Sequence, residues 1–458
     1  GGVNTWKSTN GGTSWSIKSH WAGAPGVQTV HADKHVMEWQ NSVLWEGNDG
    51  GLYKSGNGGN TWNHMSNGMV ISQMYKLGVS QTDTKVIAGL QDNGTKLMDN
   101  NGNWTDEIGG DGMECAINSA NSNIMYGSLY FGEINRSTNG GSSWTDIQNN
   151  ITGQPEGAWV TPYVLDPTTP TTIYAGFENV YKSTNQGNDW TTIGSGIGAY
   201  NKELLRVSKS NSNYIYTGRY NNIRKTTNGG TSWTSLNPPG ANLAMIEIHP
   251  TDPEIIWAVL QNYSSGQKVY KSINGGTTWT NISGTLPNLP VNCIIYQEDT
   301  PDGLYIGMDA GIFYKDDTMS DWELFSDGLP NVEITELDIN YNNNSIYAST
   351  YGRGIWKSEL VDNLPSCFPP VNVNVSELTT SSAKLAWSNP TVPPSSYEYA
   401  ITLNPQAPQN GNAISAPPYI ATNLQSATFY YFHVRSVCGF NDYSNWVTVG
   451  PIKTLPKC

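Results

Sequence analysis

The octapeptide Ser8-Thr9-Asn10-Gly11-Gly12-Thr13-Ser14-Trp15 recurs with small changes at Ser55–Trp62, Ser137–Trp144, Ser183–Trp190, Thr226–Trp233 and Ser272–Trp279. Two decayed versions, Asp99–Trp104 and Asp316–Trp322, fill the gaps, so the Trp positions 15, 62, 104, 144, 190, 233, 279 and 322 stand 40 to 47 residues apart. A unit of that length cannot bury its apolar face alone and must stack on its neighbours. Ahead of each turn lies a short apolar run, among them Val86–Gly89, Ile124–Gly127, Ile173–Gly176, Ile215–Gly218, Ile256–Val259 and Leu304–Gly307. Their β-branched and aromatic residues, bounded by Gly, Asn and Pro, predict strands. Four strands for every ~44 residues is the arithmetic of a propeller blade.

The repeated unit resembles the Asp-box, or BNR repeat, of sialidases, sortilin-type domains and family 74 glycoside hydrolases, with Asn at the Asp position in every good copy. Either side chain can bond its own backbone and close the turn, Gly supplies a left-handed conformation, and the Trp packs between blades. The boxes therefore identify the fold and not the chemistry. In the resembling family they join the third and fourth strands of a blade. Residues 1–20 then supply a third and a fourth strand, seven full sets of four follow, and residues 334–340, 345–350 and 354–360 supply three strands without a fourth. The expectation is an all-β protein: a seven- or eight-bladed β-propeller over residues 1–360, followed by a β-sandwich. Either the two ends close an eighth blade, or residues 1–20 are the remnant of a preceding propeller. The second is preferred, because the chain starts inside a blade. The motifs Val30–His35, Gly47–Gly51, Gly89–Gly94 and Gly109–Gly112 also resemble those of large tandem-propeller secreted proteins of Bacteroidetes.

Past Leu360 the period stops. Residues 361–366 read as a linker and residues 367–458 as a separate module with alternating strand patterns, clearest in Tyr430–Ser436. The module resembles a fibronectin type III domain. Trp387 fits its core tryptophan, and Leu424, six residues before Tyr430, fits its tyrosine corner. The resemblance implies a disulfide between Cys367 and Cys438, and Cys458 looks like the first residue of a second such module. Cys115 and Cys293 read as buried free thiols. No CxxC or metal-type spacing of cysteines is present.

Of the residues only 14% are charged, with a net charge of −14, and no Lys/Arg cluster occurs. A phosphate backbone would be repelled, which excludes nucleic acid as a partner. The apolar runs are far shorter than the ~20 residues that span a bilayer, so membrane insertion is not expected. Together with the cysteine pattern, these features predict a secreted, extracellular or cell-surface protein, and the resemblance adds a type IX secretion cargo with further domains beyond both ends.

Propeller ligands in the resembling families bind at the loops joining second to third and fourth to first strands. That rule places Asp49, Asp92 and Asp309 at second-to-third hairpins, with Arg353 in the same slot, and His31, Asp33, His35 and Asp111 in fourth-to-first loops. These eight residues are the candidate ligand-binding set. Three readings compete for them. Asp49-Gly50-Gly51 resembles the hairpin that carries a catalytic Asp in family 74 endoglucanases, which makes Asp49, Asp92 and Asp309 candidate catalytic carboxylates of an endo-acting glycoside hydrolase. In that family the pair comes from two facing propellers, whereas one is expected here. The alternation His31-x-Asp33-x-His35 would put three donors on one face of an extended segment, a possible Zn or Ca set, otherwise with no cofactor. The third reading is turn chemistry alone. A sialidase is disfavoured by the small number of arginines, six, and the missing Arg-Ile-Pro motif. The favoured role is binding, to extracellular polysaccharide or to a surface protein. A family 74-like hydrolase is the alternative, and a structural subunit of a surface assembly is the third possibility.

Overall fold

The repeated turns close hairpins with one recurring network. In the computed structural model, which describes residues 2–198, 201–361, 367–390, 393–439 and 442–457, the turn at Ser272–Trp279 joins the strands Val269–Ser272 and Thr280–Asn281. Ser272 Oγ accepts the Gly276 N–H at 2.9 Å, and Asn274 Oδ1 accepts the Thr278 N–H at 2.9 Å. The Asn274 amide also donates to Thr278 Oγ1 at 2.8 Å, a bond a carboxylate could not donate. Asparagine thus closes the turn from both sides.

In most copies the tryptophan that ends the turn reaches back to the preceding blade. The indole N–H donates to a backbone carbonyl in Trp190 (Ile147, 3.1 Å), Trp233 (Ile193, 2.8 Å), Trp279 (Asn237, 3.0 Å) and Trp322 (Ile282, 2.8 Å), and to the Glu107 carboxylate in Trp144 (3.0 Å). Between these anchors the second strands of six blades each bury one large aromatic residue: Tyr126, Tyr174, Tyr216, Trp257, Tyr305 and Tyr347 are each 4% exposed or less.

The blades close into a ring of seven. Six are four-stranded sheets whose innermost strands are Met74–Val79, Cys115–Ile117, Tyr163–Leu165, Leu204–Val207, Leu243–Ile248 and Val291–Gln297. The seventh has three strands, Ile334–Asn340, Ser345–Thr350 and Ile355–Glu359. Its inner strand packs on that of blade 1, where Glu336 and Asp338 carboxylates accept the N–H groups of Leu77 and Val79, each at 3.0 Å.

Among the described residues the ring has no eighth blade and the two ends do not close one together. The sheet of strands Lys34–Gln40, Val43–Asn48, Gly51–Ser55 and Asn63–His64 stands outside the ring, and the hairpin Thr5–Lys7/Ser16–Ser19 stacks on it. Trp62 makes the usual anchor across that pair, to the Lys18 carbonyl at 3.2 Å. Buried Glu46 clamps it, accepting from Thr5 Oγ1 at 2.6 Å and pairing with Lys34 at 2.7 Å. The reason is visible at the first strand of this outlying blade, where Val36, Met37 and Trp39 are 47–58% exposed rather than packed in a ring. Residues 1–360 thus form one compact unit that contains a ring of seven blades, one further blade outside it and a hairpin stacked on that blade.

Residues 361–458 form the other unit. Strands Val371–Ser376, Ala383–Ser388 and Tyr419–Ala421 make one sheet, and a five-stranded sheet centred on Phe429–Gly439 makes the other. Trp387 and Tyr430 are buried between them, and the Tyr430 hydroxyl accepts the Gln425 N–H at 2.9 Å. Cys367 and Cys438 are disulfide-bonded with Cα atoms 5.3 Å apart, and Cys115 and Cys293 are buried and free. The expected linker, apart from Val361, and Cys458 lie outside the described residues.

Candidate ligand-binding site

The junction between the outlying blade and ring blade 1 gathers most of the candidate residues. Asp49 stands on the hairpin of the outlying blade, Asp92 on the corresponding hairpin of blade 1, and Asp33 on the segment leading into Lys34–Gln40. Their carboxylate oxygens lie within 4.8 Å of one another. Asp33 and Asp92 both adopt the left-handed conformation, with φ of 52° and 58°, which turns the chain sharply enough to aim both side chains at one point.

Each carboxylate is held differently. Asp49 Oδ1 bonds His35 Nε2 at 2.5 Å, and its backbone carbonyl accepts from the Asn93 amide at 2.9 Å. The Asp92 N–H donates to Asp111 Oδ1 at 2.7 Å, while the Asp92 carbonyl meets His31 Nε2 at 2.8 Å. Partial burial, reinforced by Asp111 and Asp49, raises the Asp92 carboxyl above the usual carboxylate range. His31 lies directly over the hairpin, and a side chain at Gly50 would bring its Cβ within 2.4 Å of the His31 Cβ. Glycine at position 50 is what lets the His31 ring lie over this hairpin while it bonds the Asp92 carbonyl of blade 1.

This geometry corrects the expected metal set. Asp33 interrupts the extended run, so His31, Asp33 and His35 do not share a face: His31 serves the Asp92 carbonyl and His35 serves Asp49. Among the described residues the donors that converge are instead Asp33, Asp49 and Asp92. Three carboxylates are hard oxygen donors and would suit Ca²⁺ rather than Zn²⁺. His35 itself belongs to a strand rather than a loop.

Asp309 and Arg353 do not join the cluster. Asp309 accepts from Asn292 at 3.0 Å and from the Tyr263 hydroxyl at 3.3 Å, in blades 6 and 5. Arg353 turns inward on its own hairpin, donating to the Gly352 carbonyl at 3.2 Å. A carboxylate pair drawn from Asp49 and Asp92 therefore comes from two different blade stacks, although the chain contains only one complete ring.

Two features beside the carboxylates carry no motif. A cleft of about 420 Å³ opens next to Asp49, lined by polar groups that include His64, Ser66, Gln73, Asn93 and Lys96. On the other side Tyr130, Phe131 and Trp159 form an aromatic platform with each residue 43–44% exposed. Tyr130 and Trp159 stack with planes 8° apart, and Phe131 stands nearly perpendicular to Trp159 at 80°. Phe131 is held at φ 60°, with its N–H on the Trp159 carbonyl at 3.3 Å and its carbonyl on the Gly157 N–H at 2.7 Å. Tyr75 connects the platform to the carboxylates, because its hydroxyl interacts with Trp159 while it senses Asp111 and Asp92. The platform depends on an aromatic residue in a left-handed turn, and sequence alone does not reveal φ.

Among the described residues no helix is long and apolar enough to cross a membrane. No curated protein sequence matches the chain. Among solved structures, an ancestral GH74 enzyme is similar with a TM-score of 0.53 and 14% identity, over 81% of this chain and 59% of that one. The chain thus spans less than two thirds of that enzyme, and at such identity the likeness is one of fold. YCF48 from Cyanidioschyzon merolae (TM-score 0.49, 12% identity, 64% of this chain and 97% of that one) is more distant. So is the extracellular domain of a hybrid two-component system from B. thetaiotaomicron (TM-score 0.49, 13% identity, 93% and 62%). Residues 368–450 match the fibronectin type III domain family, so the chain is a β-propeller protein carrying a fibronectin type III domain.

Proposed function

We propose that the chain is a secreted or cell-surface binding protein that holds polysaccharide at the junction of its two blade stacks, with the fibronectin type III domain as a spacer. The observation that carries this reading is a set of exposed aromatic faces linked through Tyr75 to clustered carboxylates. Pyranose rings offer apolar faces to stack on Tyr130, Phe131 and Trp159, and hydroxyls to donate to Asp33, Asp49, Asp92 and Asp111. A surface protein of Asp-box type secreted by a Bacteroidetes organism, with further domains on the same polypeptide, fits this role.

A family 74-like endo-acting hydrolase is the second reading, favoured by one observation: Asp92, with its raised carboxyl, faces the hydrogen-bonded Asp49 across two blade stacks. Glycoside hydrolysis needs two facing carboxyl groups, of which the one that acts as acid has a raised pKa.

One experiment separates them. The protein is incubated with plant, algal and host polysaccharides, and retention and new reducing ends are read on the same samples. Retention without cleavage is the expected result, and Trp159→Ala should weaken it about tenfold, since a stacked aromatic contact is worth roughly 1–1.5 kcal/mol. Reducing ends that disappear in Asp49→Asn with folding intact would replace binding by hydrolysis. Neither signal on any polysaccharide would overturn both readings.

A further inference from the structure

Ring blade 7 stops at its third strand, Ile355–Glu359, whose outer edge pairs with no strand among the described residues. Both neighbouring blades register the difference. Between blades 6 and 7 an apolar cavity of about 180 Å³ lies open, lined by Ile312, Phe325, Leu329, Ile346, Ala348 and Trp356. These positions correspond one by one to residues packed around Trp190 in blade 3. The Phe325 N–H bonds the Ile312 carbonyl at 2.7 Å as Ile147 bonds Ile134 at 2.9 Å, and Leu329 turns back on Ser326 as Ile151 does on Gln148. Ile346 and Ala348 flank Tyr347 as Ile173 and Ala175 flank Tyr174, and Trp356 takes the place of Tyr181. At blade 3 the set Ile134, Ile147, Ile151, Ile173, Ala175 and Tyr181 closes on an indole. At blade 7 no fourth strand among the described residues brings one.

The second sign is on blade 1. Its tryptophan, Trp104, should anchor to the fourth strand of the blade before it, which around the ring is blade 7. Trp104 is 45% exposed, and among the described residues its indole has no carbonyl partner of the kind found in blades 3 to 6.

From these two matched openings we infer that blade 7 is an acceptor site for an extended polypeptide strand led by tryptophan. The strand adds antiparallel to Ile355–Glu359, seats its indole in the Ile312/Phe325/Leu329 cavity, and presents a backbone carbonyl to Trp104. Strand addition of this kind takes affinity from main-chain bonds and specificity from the side-chain pocket. The required chemistry is read from the occupied copies, Trp144-Thr-Asp-Ile147, Trp190-Thr-Thr-Ile193 and Trp279-Thr-Asn-Ile282: a tryptophan, two polar residues and an aliphatic one.

The test uses the whole chain and a fluorescein-labelled peptide copying residues 272–284. Anisotropy should rise saturably, and the same peptide with alanine for its tryptophan should bind at least tenfold more weakly. Two protein variants are expected to abolish binding. Because the Leu360 N–H bonds inward to Asn344, alternation along the strand turns the Lys357 N–H outward, so Lys357→Pro removes an edge donor without touching the ladder. Ser358→Trp fills the cavity from the protein's own side. Absence of saturable binding, equal binding of the alanine peptide, or undiminished binding by both folded variants would overturn the inference.

Discussion

Replacing Trp322 by alanine is expected to destabilise the ring by about 3–5 kcal/mol, the usual range for deleting a buried Trp, whereas Trp104→Ala should cost about 0.5 kcal/mol or less. The two residues occupy the same place in the repeat. Trp322 is 7% exposed and its indole bonds the Ile282 carbonyl, so truncation opens a cavity and leaves a carbonyl without its donor. Trp104 is 45% exposed and spans no blade seam. Urea denaturation of the two variants against the parent checks this, provided the slope of the transition is unchanged. A large loss for Trp104→Ala, or a negligible one for Trp322→Ala, would show that inter-blade anchoring is not what the repeated tryptophan supplies.

The second large effect concerns pH. The channel through the ring, about 460 Å³, is lined by innermost strands that carry Glu114, Glu247, Glu336 and Asp338 among only a few cations such as Arg206. Burial pushes the Glu114 carboxyl up to about 8, with help from Glu336, and pushes Glu247 and Asp338 up to about 7. In the unfolded chain these groups titrate near 4. Between roughly pH 4 and pH 8 the folded state therefore holds more protons than the unfolded state, and its stability falls as pH rises. The contribution is fully present below the unfolded values and is lost as the pH passes through about 7 to 8. Opposite trends act outside that window. Asp83, held down to about 2 after hydrogen bonds from Ser122 and Ser80 outweigh its burial, loses its contribution only in strong acid. Lys202, lowered to about 8 by burial, works the other way above it. Thermal melts are thus expected to give a higher midpoint at pH 5.5 than at pH 8, and Glu114→Gln should flatten the profile. A midpoint that rises from pH 5.5 to pH 8 would mean the channel carboxylates are ionised throughout.

The period of the repeated turn is enough to determine an all-β ring of stacked sheets, because each copy carries its own closing network in adjacent residues: the side chains of Ser272 and Asn274 bond to each other and to Gly276 and Thr278. The fibronectin type III segment is legible for the same reason, through alternation and a buried Trp387 and Tyr430. The number of blades is not local. Nothing near Trp62 or Trp104 says that the first packs on Lys18 while the second meets no partner, since that depends on which inner strand Met74–Val79 finds across the ring.

The candidate site divides along the same line. Hairpin positions such as Asp49 and Asp92 follow from blade register, so sequence could propose them, but it could not separate them from Asp309 and Arg353, which occupy equivalent slots in other blades. Convergence of Asp33, Asp49 and Asp92 required the outlying blade to meet blade 1, through His31 on the Asp92 carbonyl and Asn93 on the Asp49 carbonyl. The aromatic platform needed Phe131 in a left-handed turn to bring Tyr130 against Trp159 from the next blade. Local hydrogen bonding writes the blade into the sequence, whereas closure, the junction and the sites on it arise from contacts between residues far apart in the chain, which only the tertiary structure decides.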